Sequence, residues 1–139
     1  MSWLFYAMLS ALFAAFTAIL AKLGVKNVDS NLATAIRTIV IVLFAWGIVY
    51  IQGTFKQIQE ISRFSLLFLL LSGITTGLSW LFYFKALQMG EVSKVTPIDK
   101  LSLVITIVLS ALLLKEKVTL SIFIGAVLMS LGAILIAVG

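Results

Sequence analysis

Cysteine and histidine are both absent from this 139-residue chain. Without cysteine there is no disulfide, no thiolate nucleophile and no sulfur-ligated metal. Without histidine the chain lacks the commonest metal ligand and the usual acid/base side chain. Charge is scarce as well, at 11% of positions, against about 25% in an ordinary soluble domain. Basic residues number 10 and acidic residues 5, for a formal net charge of +5. No acid/base pair is available inside an apolar span, so the chain is expected not to be an enzyme and to need no cofactor or metal. What is present is apolar: 63% of residues are hydrophobic. That balance excludes a soluble globular protein, a disordered chain and a collagen-like repeat.

The apolar residues come in blocks of about 20, the length that crosses a bilayer as a helix. A transmembrane β-barrel would instead alternate over segments of about 10 residues, and no such alternation occurs. Hydropathy places five spans at about 3–21, 32–51, 65–88, 95–114 and 120–138. The expected fold is therefore an all-α membrane protein, a bundle of five transmembrane helices within one domain over residues 1–139. The first span does not read as a cleaved signal peptide. No basic residue precedes it, and its length of about 19 exceeds a typical apolar signal core. Basic residues at helix ends commonly serve membrane orientation and anionic headgroups, so nucleic acid is not an expected partner.

The connections are short. Gly24 and the run Asn27-Val28-Asp29-Ser30-Asn31 supply turn chemistry between the first two spans, with Ser30 or Asn31 as the expected cap of the second helix. Gln52 to Phe64 is the longest connection. Phe55, Ile58 and Ile61 recur there every third residue, which predicts one short interfacial helical turn. Almost nothing lies outside the membrane, so function is expected in or between the helices.

Five spans put the termini on opposite sides. With a cytoplasmic N-terminus, the cytoplasmic loops carry Lys56, Arg63, Lys115 and Lys117. The other side carries Lys22, Lys26 and Lys94, with Arg37, Lys85 and Lys100 near helix ends. Neither side has the excess of basic residues that fixes orientation. One reading is dual insertion with antiparallel pairing; the other is a single orientation that a simple count misses.

Charges in spans are costly, at about 2.5–3.5 kcal/mol each on insertion scales, and usually face protein or water. Arg37, Lys85, Asp99 and Lys100 all lie towards one membrane face in this topology. As one cluster they would sum to +2 and attract carboxylates or phosphates. Alternatively the basic members snorkel to headgroups or form a structural ion pair. Asp99 is the acidic residue inside a span, and a partly buried carboxyl can carry a proton.

Helical spacing groups the neutral polar residues. Asp99, Ser102, Thr106 and Ser110 share one face of the fourth span; Ser72, Thr76, Ser79 and Tyr83 share one face of the third, with Trp80 adjacent. Two such stripes suggest a water-accessible path with an aromatic wall. The competing reading is that each hydroxyl bonds its own i−4 carbonyl or joins helices. Gly73 and Gly77 form a GxxxG pair in the third span, and Gly125 and Gly132 stud the fifth. Such small residues permit close helix approach, in the same chain or another.

The run Tyr83-Phe84-Lys85-Ala86-Leu87-Gln88-Met89-Gly90 is followed by Thr96-Pro97, then Leu114-Lys115-Glu116-Lys117-Val118-Thr119, then Ile124-Gly125-Ala126 to Gly132. In order and spacing this resembles an EamA-type domain of the drug/metabolite transporter superfamily. Most relatives carry two such five-helix units in opposite orientations. The resemblance therefore implies one inverted-repeat unit here, completed by a second chain as a homodimer, with antiparallel pairing as one arrangement. Two positions depart from the family pattern. A proline common in the fourth helix is replaced within Leu101-Ser102-Leu103-Val104, and the family glycine before the loop glutamate is Lys115. The chain is also similar in size and apolarity to the small multidrug resistance proteins. Their first-helix glutamate has no counterpart here, which leaves Asp99 as the candidate carboxylate.

The resemblance implies a secondary transporter in a bacterial or archaeal cytoplasmic membrane, moving a small polar or amphipathic metabolite by alternating access. Arg37, Trp80, Tyr83, Lys85, Asp99, Lys100, Ser102 and Thr106 are the expected substrate or coupling residues, and Gly73, Gly77, Gly125 and Gly132 the expected packing residues. The alternative is a non-transporting accessory subunit that assembles with a different membrane protein. A passive channel is less favoured, because no repeated filter sequence is present.

Overall fold

In hydrocarbon a backbone must satisfy its own N–H and C=O groups, and a helix does so within one segment. The computed structural model describes residues 2–139, and among these it contains helices and loops but no strand. The α-helices are α1 (Ser2–Gly24), α2 (Ser30–Ile51), α3 (Arg63–Met89), α4 (Val92–Asp99), α5 (Leu101–Leu113) and α6 (Leu120–Val138). A 3-10 helix, Thr54–Glu60, lies between α2 and α3. Five stretches are long and apolar enough to cross a membrane, with α4 and α5 together making the fourth. The chain is an all-α, multi-pass, five-helix membrane protein.

The helix ends show where hydropathy under-reads helix length. α3 begins at Arg63 rather than near Ser65, because Ser62 caps it: its hydroxyl accepts from the Ser65 N–H at 3.0 Å. α4 begins at Val92 rather than near Val95, since Lys94 and Val95 N–H groups both return to the Glu91 carbonyl. Hydropathy marks what lies in lipid, whereas a helix also runs through the polar turn at its end. The cap of α2 is neither Ser30 nor Asn31. It is Asp29, whose carboxylate accepts from the Asn31 and Leu32 N–H groups at 2.9 and 3.1 Å. A carboxylate suits the positive end of the helix dipole better than a hydroxyl or amide does. The expected interfacial turn is the 3-10 helix, and its Phe55 ring lies 5.8 Å from the ring of Trp46 on α2.

Lys115 ends the fourth span in the left-handed conformation, at φ +56°. The Glu116 N–H then returns to the Ser110 carbonyl at 3.2 Å. This is the position where the family pattern has glycine. A side chain there costs about 1 kcal/mol relative to glycine.

The helices pack as two units. One comprises residues to Leu20 and Met89–Gly139; the other is Ala21–Gln88. In the first, α4 and α5 both pack on α6. Ala126 and Ala133, two turns apart on α6, are buried. In the second, the α1–α2 connection interlocks with the end of α3. The Lys22 ammonium donates to the Leu87 carbonyl at 2.6 Å, and the Gln88 amide donates to the Val28 and Val25 carbonyls at 2.9 and 3.4 Å. Val25, Phe84 and Leu87 are essentially fully buried there, with Ser30 and Thr34. Elsewhere on α2 and α3 most large apolar side chains, such as Phe44 and Phe82, point outward, as suits a chain whose solvent is lipid.

Candidate functional site

Arg37 lies on the second turn of α2, about 10 Å from its start at about 1.5 Å per residue. It is half-buried. Its guanidinium carbon sits 4.5 Å above the Trp80 ring and 5.2 Å from the Phe84 ring, both on α3. Trp80 and Phe84 are four residues apart, so they stack along one face of the helix. A cation held over aromatic faces gains about 0.5–2 kcal/mol, more when desolvated. Tyr83, whose ring lies 6.3 Å from that of Phe84, is within electrostatic reach of Arg37. The structure thus brings together three predicted residues, Arg37, Trp80 and Tyr83. It adds Phe84, which was legible as the i+4 neighbour of Trp80 but lay hidden among the aromatics of the span. Lys85, next along α3, is exposed.

The Asp99–Lys100 pair belongs to the other unit. Asp99 closes α4 and Lys100 separates α4 from α5. The Lys100 N–H still bonds the Thr96 carbonyl at 3.1 Å, but its own carbonyl accepts from Leu103 at 3.0 Å, a tighter i+3 closure. Pro97 inside α4 supplies no N–H and so cannot bond the carbonyl one turn back. The fourth span is interrupted here, although the family's other proline is missing. The Lys100 ammonium lies 3.3 Å from the Asp99 carboxylate, with the side chains 50% and 32% exposed. Both side chains of this ion pair are thus partly exposed.

Half of the serines and threonines in the two stripes donate to carbonyls of their own helices. Thr76 donates to the Ser72 carbonyl and Thr106 to the Ser102 carbonyl, each at 2.8 Å; Ser110 donates to the Ile107 carbonyl at 3.0 Å. Thr34, Thr38, Thr75 and Ser130 do likewise. With their protons so engaged, these groups offer outward lone pairs. At these positions the stripes present acceptors more than donors.

The packing glycines are open. A Cβ placed at Gly73, Gly77, Gly125 or Gly132 meets no atom of its own unit within 4 Å among the described residues. Between α5 and α6 runs a groove of about 430 Å³, lined by Val104, Ile107, Val108, Phe123, Ala126 and Val127 among others.

Comparison with known proteins agrees with this architecture. The model of the EamA-like transporter family matches residues 1–138. An uncharacterized transporter in the cobO 3′ region of a Sinorhizobium species is 46% identical over 137 residues, which are 99% of this chain and 97% of that relative. An uncharacterized protein of Methanocaldococcus jannaschii is 32% identical over 105 residues, covering 69% of this chain and 77% of that protein. No solved structure matches the chain. Five apolar spans, a proline-bearing fourth helix and a family match over nearly every residue place the chain in the EamA-like transporter family, as a membrane transporter of the drug/metabolite kind.

Proposed function

We propose that the chain is a secondary transporter that moves a small polar or amphipathic metabolite by alternating access, residues 1–139 acting as one domain. The working form is a homodimer, antiparallel and proton-coupled. A single five-helix unit supplies half of an inverted-repeat carrier, and a second copy supplies the rest. The Sinorhizobium relative supports this reading: one unit of this size accounts for 97% of its length. The open faces at Gly73, Gly77, Gly125 and Gly132 are surfaces on which another helix can lie close.

The observation that carries the reading is the charge retained inside apolar spans. Arg37 and Lys85 on α2 and α3, and Asp99 with Lys100 at the break in the fourth span, are expensive in lipid and useful in an aqueous path. Arg37, Lys85 and Lys100 recognise charge on the substrate. Tyr83 and the outer face of Trp80 pack against it, and Ser102 and Thr106 accept hydrogen bonds. Asp99 carries the coupling proton.

Uptake into liposomes tests the proposal. Purified protein is expected to accumulate a labelled metabolite when a pH gradient is imposed, and to lose that accumulation when an uncoupler collapses the gradient. If no metabolite moves under any ion gradient, the carrier reading fails. Crosslinking of the purified protein alone is expected to trap a defined dimer; a monomer would favour the accessory-subunit alternative.

A further inference from the structure

The Arg37 guanidinium carbon lies 4.5 Å from the Trp80 ring centroid and 5.2 Å from that of Phe84, yet the group makes no hydrogen bond and no ion pair among the described residues. Its unit contains just two acids, Asp29 and Glu60. Asp29 is committed to the α2 cap, and Glu60 lies in the 3-10 helix beyond the far end of α2. Trp80 lies about 13 Å from the C-terminal end of α3 at about 1.5 Å per residue, so the ring contact falls within the span rather than at its end.

A cation–π contact leaves the N–H edge of a guanidinium without an oxygen acceptor. That edge matches two oxygens of a carboxylate or phosphate, as a bidentate fork. The hydroxyls of Thr34, Thr38 and Thr76 donate to their own helices. In a setting of low dielectric the attraction between guanidinium and oxyanion strengthens.

We infer that Arg37, oriented by Trp80 and Phe84, is an oxyanion site, and that the transported substrate is a small organic acid bearing a carboxylate or phosphate. This rests on the transporter reading for the word substrate, whereas the binding site itself does not.

The test is a binding measurement on the full chain in an uncharged maltoside detergent. Trp3→Phe and Trp46→Phe leave Trp80 as the sole tryptophan and its emission as the reporter. Benzoate and inorganic phosphate are titrated at fixed ionic strength against chloride, and dihexanoyl phosphatidylglycerol is titrated in parallel. The expected result is a saturable change with a free oxyanion, abolished in Arg37→Gln and weakened about tenfold or more in Arg37→Lys. The lysine variant keeps the charge, so it decides the matter if the glutamine variant does not fold. Unchanged affinity in Arg37→Lys, no saturable response to either free anion, or a response to phosphatidylglycerol alone would each overturn the assignment. Anion binding without uptake in liposomes would sink the transporter reading and leave the site standing; uptake without anion binding would do the reverse.

Discussion

The ammonium of Lys22, near the end of α1, donates to the backbone carbonyl of Leu87, near the end of α3, at 2.6 Å. The last carbonyls of a helix lack intrahelical partners and carry the negative end of its dipole. A lysine that hydropathy assigns to a loop is thus an internal fastener. A hydrogen bond from a charged donor to such a group contributes about 1.5–3 kcal/mol. Lys22→Met is expected to lower stability by about 2 kcal/mol on that basis. The exposed Lys26→Met should change it by less than about 0.5 kcal/mol. Thermal unfolding in detergent compares the two, and equal effects would remove the special role of Lys22.

Asp29 starts α2, so its loss should be felt more than loss of its neighbour. Asp29→Ala is expected to cost about 1 kcal/mol, the usual value of an N-cap. Asn31→Ala, which leaves the capping carboxylate in place, should be close to neutral. Denaturant titration followed by circular dichroism checks the order, and the opposite order would move the cap back to Asn31.

Lys115 occupies a glycine-type backbone conformation. Lys115→Gly should stabilise the protein by about 1 kcal/mol, partly offset by the greater freedom of glycine in the unfolded chain. An increase in unfolding temperature with no change in oligomer size is the expected result. A decrease would show that the Lys115 side chain contributes more than its backbone strain removes.

The open glycines separate folding from assembly. Gly125→Ala and Gly132→Ala each add a Cβ that meets no atom of its own unit within 4 Å, and alanine is the better helix former by about 1 kcal/mol. Monomer stability should hold or rise slightly. If α6 forms the contact between copies, the dimer constant should fall by on the order of tenfold, about 1.4 kcal/mol. Crosslinking yield against protein concentration measures it, and an unchanged yield would place the interface elsewhere.

Asp99 provides the test of coupling. Asp99→Asn keeps the shape of the side chain and removes its proton chemistry. Exchange of substrate across the membrane should persist, while accumulation driven by a pH gradient should disappear. Gradient-driven accumulation at the wild-type level in this variant would exclude Asp99 as the proton carrier.

The membrane class and the five spans were legible from hydropathy, because insertion into lipid is read residue by residue along the chain. The short helix in the second connection was legible for a similar local reason, the three-residue spacing of Phe55, Ile58 and Ile61. The family too could be read from the order of Tyr83 to Gly90, Thr96-Pro97 and Leu114 to Thr119. Site residues were less accessible. Trp80 and Arg37 are 43 positions apart in the chain, and nothing in either helix alone says that one ring lies under one guanidinium. The same holds for Lys22 on Leu87 and for Gln88 on Val28. Composition and periodicity settle which segments leave water, since that free energy is nearly additive over residues. Which side chains meet depends on how helices rotate and slide against one another, a property of the packed pair. Whether Thr76 and Thr106 turn their protons outward or back onto the helix is decided in the same way, by whether a partner comes within about 3 Å.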